Sequence, residues 1–287
     1  MVRCGSRFRE IAMQDLEFTG YNPEIERVDE IRDSATAFDI TYGDYDAPEE
    51  VDPRGKIRHD RQGNMGSCQG FSLTNCGELI YLYSQGWQEY TTEGQFSQLF
   101  AYLETQRIDK LLGRDVGSTI AGGLKVAKEI GYLPLSDLPY STPYPSNART
   151  LVTSAMRTKA GALKIGSHSW LTSYDAIFNY LASGVGAVHT GTVWNNSFYA
   201  SNGVLERVSL ANGGGHATCW AGYSKRKDSK GRKYLWRLNS HNDSWVEMAP
   251  SVIDALCSHQ YTSIVGMSDL SVPKPRRFDF SKQSILG

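Results

Sequence analysis

Residues 62 to 72 read Gln-Gly-Asn-Met-Gly-Ser-Cys-Gln-Gly-Phe-Ser, and an apolar stretch from Leu73 to Tyr83 follows directly. Phe71, Asn75, Leu79 and Leu82 recur at near-helical intervals, which predicts a central helix from Ser67 to about Gln85. A helix starting near Cys68 places that thiol at a helix N-terminus. There the macrodipole and the unpaired N–H groups favour the thiolate. The thiolate is the nucleophilic form, so one short string constrains both the core of the fold and the place to look for covalent catalysis.

Gln62, Gly63, Gly66, Ser67, Cys68, Phe71 and Ser72 stand in register with Gln-Gly-x-Cys-Gly-Ser-Cys-Trp-Ala-Phe-Ser. That is the active-site segment of the papain-like cysteine peptidases, which this string resembles. The family layout puts a His and an Asn about 130–150 residues downstream of the cysteine. Gly214-Gly215-His216-Ala217 falls within that range, and Asn239-Ser240 lies beyond it, as a longer loop before the Asn strand explains. Asp115-Val116-Gly117-Ser118, with Gly123-Leu124 and Gly131 after it, resembles the loop and helix that wall the substrate subsites. Leu138-Pro139-Tyr140 resembles the family's Tyr-Pro-Tyr segment, and Gly222-Tyr223 its strand after the catalytic His. The match spans about residues 53 to 270 and is dense around the three catalytic motifs.

The resemblance implies a role for each residue. Cys68 is the nucleophile, paired with a His216 that protonates the leaving amine and later activates water. Asn239 holds the far nitrogen of that imidazole. The Gln62 side-chain amide and the Cys68 N–H stabilise the oxyanion. Gly117, Ser118 and Gly215 are the candidate substrate contacts, aligning an extended peptide. No cofactor and no metal are implied, since no His, Cys or Asp pair has ligand spacing.

Two departures stand out. The tryptophan after the nucleophile is Gln69 here, and the one that normally follows Asn-Ser and shields the His–Asn bond is His241, with Asn242 after it. Their loss predicts a more exposed His–Asn pair and weaker catalysis, with Trp245 restoring part of the aromatic wall. An alternative reading follows, a papain-like fold with slow or lost activity serving assembly. A cysteine amidase cutting bacterial cell-wall peptides is a third, disfavoured by the Gln62-to-Cys68 spacing.

The 287 residues suit one large domain or two small lobes, with 40% hydrophobic and 21% charged residues, ordinary for a soluble globular protein. A formal net charge of −1 and the absence of a basic stripe argue against a nucleic-acid partner. No stretch reaches transmembrane length and the N-terminus has no apolar signal core, so a membrane partner is not expected. The five cysteines are odd in number, and Met65 stands where secreted members carry a bridging cysteine. Cys68 and Cys76 lie about 12 Å apart along one helix, too far to bond. Cys76, Cys219 and Cys257 read as core residues. His59, His168, His189 and His259 read as structural or exposed. A reducing setting fits these features, either cytoplasmic or within a virus particle, the latter by analogy with forms from bacteria and their viruses.

Along the chain, residues 1–50 read as an acidic N-terminal extension. Acids dominate from Glu24 to Asp52 against only Arg27 and Arg32, which favours a solvated arm over an inhibitory propeptide. Residues 51–270 read as the peptidase domain, with a helical lobe over about 60–165 and a β lobe over about 166–270. Helices are expected at Phe96 to Asp109, Thr119 to Ile130 with Gly131 as its stop, and Tyr174 to Ala182. Strands are expected at Ala187 to Thr190, His216 to Tyr223 and Tyr234 to Leu238. Residues 271–287, with Pro273, Lys274, Pro275, Arg276 and Arg277, form a basic extended tail. The two extensions are candidate docking arms for a protein partner, beside the peptide or protein substrate itself. The fold class expected is α+β: two lobes, one helical and one an antiparallel β-sheet or barrel, with the active-site cleft between them.

Overall fold

A computed structural model describes residues 20–36, 47–86, 94–200, 202–241 and 245–271. The order of elements is α1 (Val28–Asp33), α2 (Cys68–Ser84), α3 (Gln98–Ile108), α4 (Ile120–Lys125), α5 (Ala148–Leu151), α6 (Ser154–Ala160), β1 (Ile165–Trp170), α7 (Tyr174–Ala182), β2 (Gly186–Trp194), β3 (Val204–Leu205), β4 (Gly214–Lys227), β5 (Lys233–Leu238), β6 (Trp245–Met248), α8 (Pro250–Cys257) and β7 (Ser263–Leu270). The chain is α+β. Among the described residues the strands form one seven-stranded sheet in the order β1-β7-β2-β4-β5-β6-β3, antiparallel except where β3 joins β6.

The expected central helix is present, one residue shorter at each end. Along α2 only Tyr81 and Ser84 escape burial, as a helix packed on all sides requires. One side faces α3, the other faces β2, β4 and β7. Among the described residues the core falls into three apolar clusters. The first joins α2 to one face of the sheet through Leu73, Cys76, Leu79, Ala217, Cys219, Ala221, Val265 and Met267. The second lies under α7 and α8 on the opposite sheet face, with Ile177, Leu181, Val252 and Leu256 against Val188, Trp220 and Leu235. The third packs Met65 against Leu99, Phe100, Leu103, Leu133 and Leu138 beside α3.

Ser97, Thr119 and Ser173 cap α3, α4 and α7, each accepting a backbone N–H from the first turn. The helix expected from Thr119 to Ile130 is α-helical only to Lys125. Its last turn, Val126–Ile130, widens to π geometry before Gly131 ends it with φ 101°. In the second half the expected helix α7 is present with its expected bounds, and α8, which the sequence reading did not foresee, joins it on one face of the sheet. No helix among the described residues is long and apolar enough to cross a membrane. Of the tail expected to be extended, residues 272–287 lie outside the described residues.

Candidate active site

Ser67 precedes α2 but makes no side-chain cap, so the first N–H groups of the helix are left for other partners. The Cys68 sulfur takes that place. The backbone N–H groups of Ala217, Gln69, Cys68 and Tyr21 all act to lower its pKa. The Ala217 N–H donates to Sγ at 3.3 Å, which puts the candidate nucleophile against the residue next to His216 on β4. Burial nevertheless dominates: Cys68 has no exposed surface, and its thiol is pushed up to about 12.

His216 Nε2 lies 2.7 Å from Asn239 Oδ1. The backbone N–H of His241 points at the same oxygen at 3.3 Å, so that atom is the acceptor and Nε2 carries the ring proton. In the neutral ring Nδ1 is then the basic nitrogen. Asn239 is fixed in turn at the end of β5, where its carbonyl oxygen lies 2.9 Å from His59 Nε2.

Gln62 is locked between the two halves of the site. Its Nε2 donates to the Met65 carbonyl at 2.8 Å, and its Oε1 accepts from Ser240 Oγ at 2.7 Å. Its own carbonyl accepts the Tyr140 hydroxyl at 2.7 Å, which also meets Ser67 Oγ at 2.6 Å. Ser240, the residue after Asn239, thus joins the oxyanion candidate to the Asn side of the site. Gln69, in place of the tryptophan, accepts from Ser118 Oγ at 3.2 Å and ties α2 to the candidate substrate loop.

His216 and Asn239 are both fully buried, contrary to the exposed pair expected from the missing tryptophan. The reason is a sandwich of rings. Trp194, at the end of β2, lies 4.3 Å from His216 by ring centroid, and His241 lies 4.5 Å away. Tyr199 braces the second through its hydroxyl, 2.9 Å from His241 Nδ1. Trp194 escaped the sequence reading because it stands at the end of a strand run with no motif around it.

The solvated-arm expectation does not hold for residues 20–36. Tyr21 lies between Ser118 and Gly215, running parallel to the first and antiparallel to the second. Tyr21 N donates to Gly215 O at 3.1 Å, Asn22 N to Ser118 O at 3.0 Å, and Ser118 N to Gly20 O at 2.9 Å. A Cβ on Gly117 would stand 2.4 Å from Gly20 O, and one on Gly215 only 2.2 Å from Tyr21 O, so glycine at both positions permits the close approach. The Tyr21 ring fills the space left by Gly191 beside Ile120. Downstream, the Glu26 carboxyl accepts from Ile120 N at 2.7 Å and Ala121 N at 3.0 Å, and Arg27 pairs with the buried Asp109 at 2.9 Å. Ile31 on α1 is buried, and its carbonyl lies 3.1 Å from His168 Nε2. The apolar Tyr21 and Ile31 carry this segment onto the protein despite the acids around them. All seven site residues named from sequence therefore lie in one region, and the chain's own residues 20–27 run through it.

The fold is also found among solved structures. The chain superposes on xylellain, a cysteine protease from Xylella fastidiosa, with a TM-score of 0.69 and 21% identity, over 87% of this chain and 95% of that one. The fold is that of papain-like cysteine proteases. Procathepsin B S9 from Trypanosoma congolense gives a TM-score of 0.62 at 15% identity, covering 88% and 87% of the two chains. Bromelain from Ananas comosus, in complex with the E64 inhibitor, gives 0.53 at 18% identity, covering 77% and 99%. No family model matches the chain. No curated protein matches it in sequence. Among the described residues no group of three or more His, Cys, Asp or Glu side chains is arranged to hold a metal ion.

Proposed function

We propose that this papain-like chain is a thiol peptidase, and that residues 20–27 hold its site shut. The observation that carries the reading is the His216–Asn239 bond, made beside a cysteine at the N-terminus of a buried helix. Once the site is open, His216 Nδ1 takes the Cys68 proton, and the thiolate attacks the carbonyl carbon of the substrate peptide bond. The resulting oxyanion is met by the Cys68 N–H and the second amide hydrogen of Gln62, whose first is held by Met65. The imidazolium protonates the leaving amine, and the acyl group remains on Cys68 as a thioester. His216 then deprotonates a water that hydrolyses it, releasing the acid and restoring the thiol.

The backbone of Ser118 and Gly215, now paired with residues 20–22, is what an extended substrate would use. Substrate and segment therefore compete for the same hydrogen bonds. The closed form also explains the high pKa of Cys68: a segment that excludes water raises the cost of the thiolate. Sequence likeness to papain-like enzymes at the three motifs supports the activity, and the neighbouring protease structures support the fold that presents it.

The test is alkylation of Cys68 by iodoacetamide as a function of pH, read by mass spectrometry, in the parent protein and in His216→Ala. Labelling that persists well below the ordinary thiol range of about 8.5, and disappears in the variant, supports the ion pair. Labelling that tracks an ordinary thiol in both proteins, even with residues 20–27 displaced, overturns the peptidase reading.

A further inference from the structure

Cys76 and Cys219 take no part in the chemistry proposed above. Cys76 lies on α2, two turns beyond Cys68. The residues Cys68, Ser72 and Cys76, spaced by four, form one stripe facing the sheet. Cys68 Sγ accepts the Ala217 N–H, and Ser72 Oγ lies 2.7 Å from His189 Nδ1 on β2. His189 is the register partner of Cys219 on β4. The third member of the stripe therefore meets Cys219, and the two sulfur atoms stand 3.4 Å apart.

Both thiols are fully buried and free. Neither touches a polar group of the site, and their surroundings are the apolar cluster between α2 and the sheet. Closing two sulfurs from van der Waals contact to the bonded distance of about 2.05 Å is a short movement. Cys76 and Cys219 lie 143 positions apart in the chain, so the bond would close a very long loop.

We propose that Cys76 and Cys219 are an oxidation site, which a hydroperoxide converts to an intramolecular disulfide. In the first step one thiolate attacks a peroxide oxygen. The O–O bond breaks, the sulfur becomes a sulfenic acid, and hydroxide leaves with the displaced electron pair. In the second step the other thiol attacks that sulfur, the S–O bond breaks, and water departs with the thiol proton. Two thiols lose two electrons, and one peroxide is reduced to two waters. Burial pushes the Cys76 thiol well up, so the reaction is slow and proceeds through local opening.

The placement gives the bond a consequence. Its two ends sit on the helix that begins at Cys68 and on the strand that carries His216. The disulfide ties the nucleophile's element to the base's element across the interior of the fold. Its formation does not depend on Cys68 being a nucleophile, so the proposal stands apart from the peptidase reading.

The experiment treats the full chain with a small excess of hydrogen peroxide, then denatures, alkylates with iodoacetamide and digests it. The expected result is a linked peptide pair containing Cys76 and Cys219. An intact mass lower by about 2 Da and a Tm higher by about 10 °C accompany it, both reversed by dithiothreitol. In Cys219→Ala the linked pair and the Tm gain are absent. Should that variant fail to fold, dithiothreitol reversal in the parent protein gives the same comparison. Recovery of Cys76 and Cys219 as alkylated peptides, with peroxide consumed only at Cys68 or Cys257, overturns the proposal. A link that joins any other pair, Cys4 included, does so as well.

Discussion

Replacing Tyr21 by Ala tests the closed cleft most directly. The Tyr21 side chain is 4% exposed, its ring wedged beside Gly191 and Ile120. Truncation removes about 100 Å² of buried ring surface, worth roughly 2.5–3 kcal/mol at about 25 cal/mol per Å². The backbone bonds to Ser118 and Gly215 remain available to alanine, so the loss falls on the ring alone. At about 1.4 kcal/mol per tenfold change, the open population rises on the order of 100-fold. The assay is iodoacetamide labelling of Cys68 near neutral pH, quenched at intervals and read by peptide mass spectrometry. Cys76 and Cys219 serve as internal reporters, because they are fully buried in the core and displacement of residues 20–27 alone does not expose them. The expected outcome is a Cys68 rate raised about 100-fold with Cys76 unlabelled. A Cys68 rate within about threefold of the parent protein would refute the view that this segment controls access. Labelling of Cys76 in step with Cys68 would refute it too, since the variant would then be unfolding globally.

In the opened protein, His216→Ala lowers kcat on a peptide substrate by at least about 10⁴-fold, and a loss under tenfold would remove it as the base. Gln62→Ala costs about 10²–10³ in kcat with KM little changed; a pure KM effect in steady-state kinetics would assign it to binding instead. His189 makes stability depend on pH. Burial holds its imidazole neutral and lowers its pKa to about 3, from an ordinary 6.5. Its contribution is fully present above 6.5 and is lost as pH falls toward 3, by roughly 5 kcal/mol in all. Urea unfolding midpoints should therefore fall between pH 6.5 and 4 and flatten in His189→Leu, while an unchanged slope would point to other groups.

Much of the site was legible because its signals are local. The glycines before Cys68 and the apolar run after it are short-range features, and they located α2 to within a residue at each end. Tyr174–Ala182 emerged with the bounds read from its pattern, helped by the Ser173 cap. His216 and Asn239 could be singled out because their order and distance after Cys68 resemble the papain-like layout, with glycines before the His and a strand before the Asn. The missed elements are short or lack periodicity of their own. β1 and β7 pair with each other at the sheet edge, and their burial patterns are not alternating. The two-residue β3 forms only by pairing with β6.

The acidic stretch after Glu24 misled for a physical reason. Charge composition averages over a segment, whereas docking was decided by Tyr21 and Ile31, with Glu26 and Arg27 finding partners far along the chain. The loss of a tryptophan misled in the same way, since a substitution says nothing of what fills the space. Trp194 and His241 fill it, brought to His216 by the pairing of β2 with β4 and by the turn after β5.

The sequence by itself determined the central helix, the candidate site residues and their order along the chain. Each of these is written in spacing and residue type within a few turns. The tertiary structure alone decided that residues 20–22 pair with Ser118 and Gly215, that two rings seal the His–Asn pair and that Cys76 meets Cys219. Such contacts join positions distant in sequence, and they follow from sheet register and from which helix face packs on which strand. A periodic pattern shows that a face is buried. It does not show what that face is buried against.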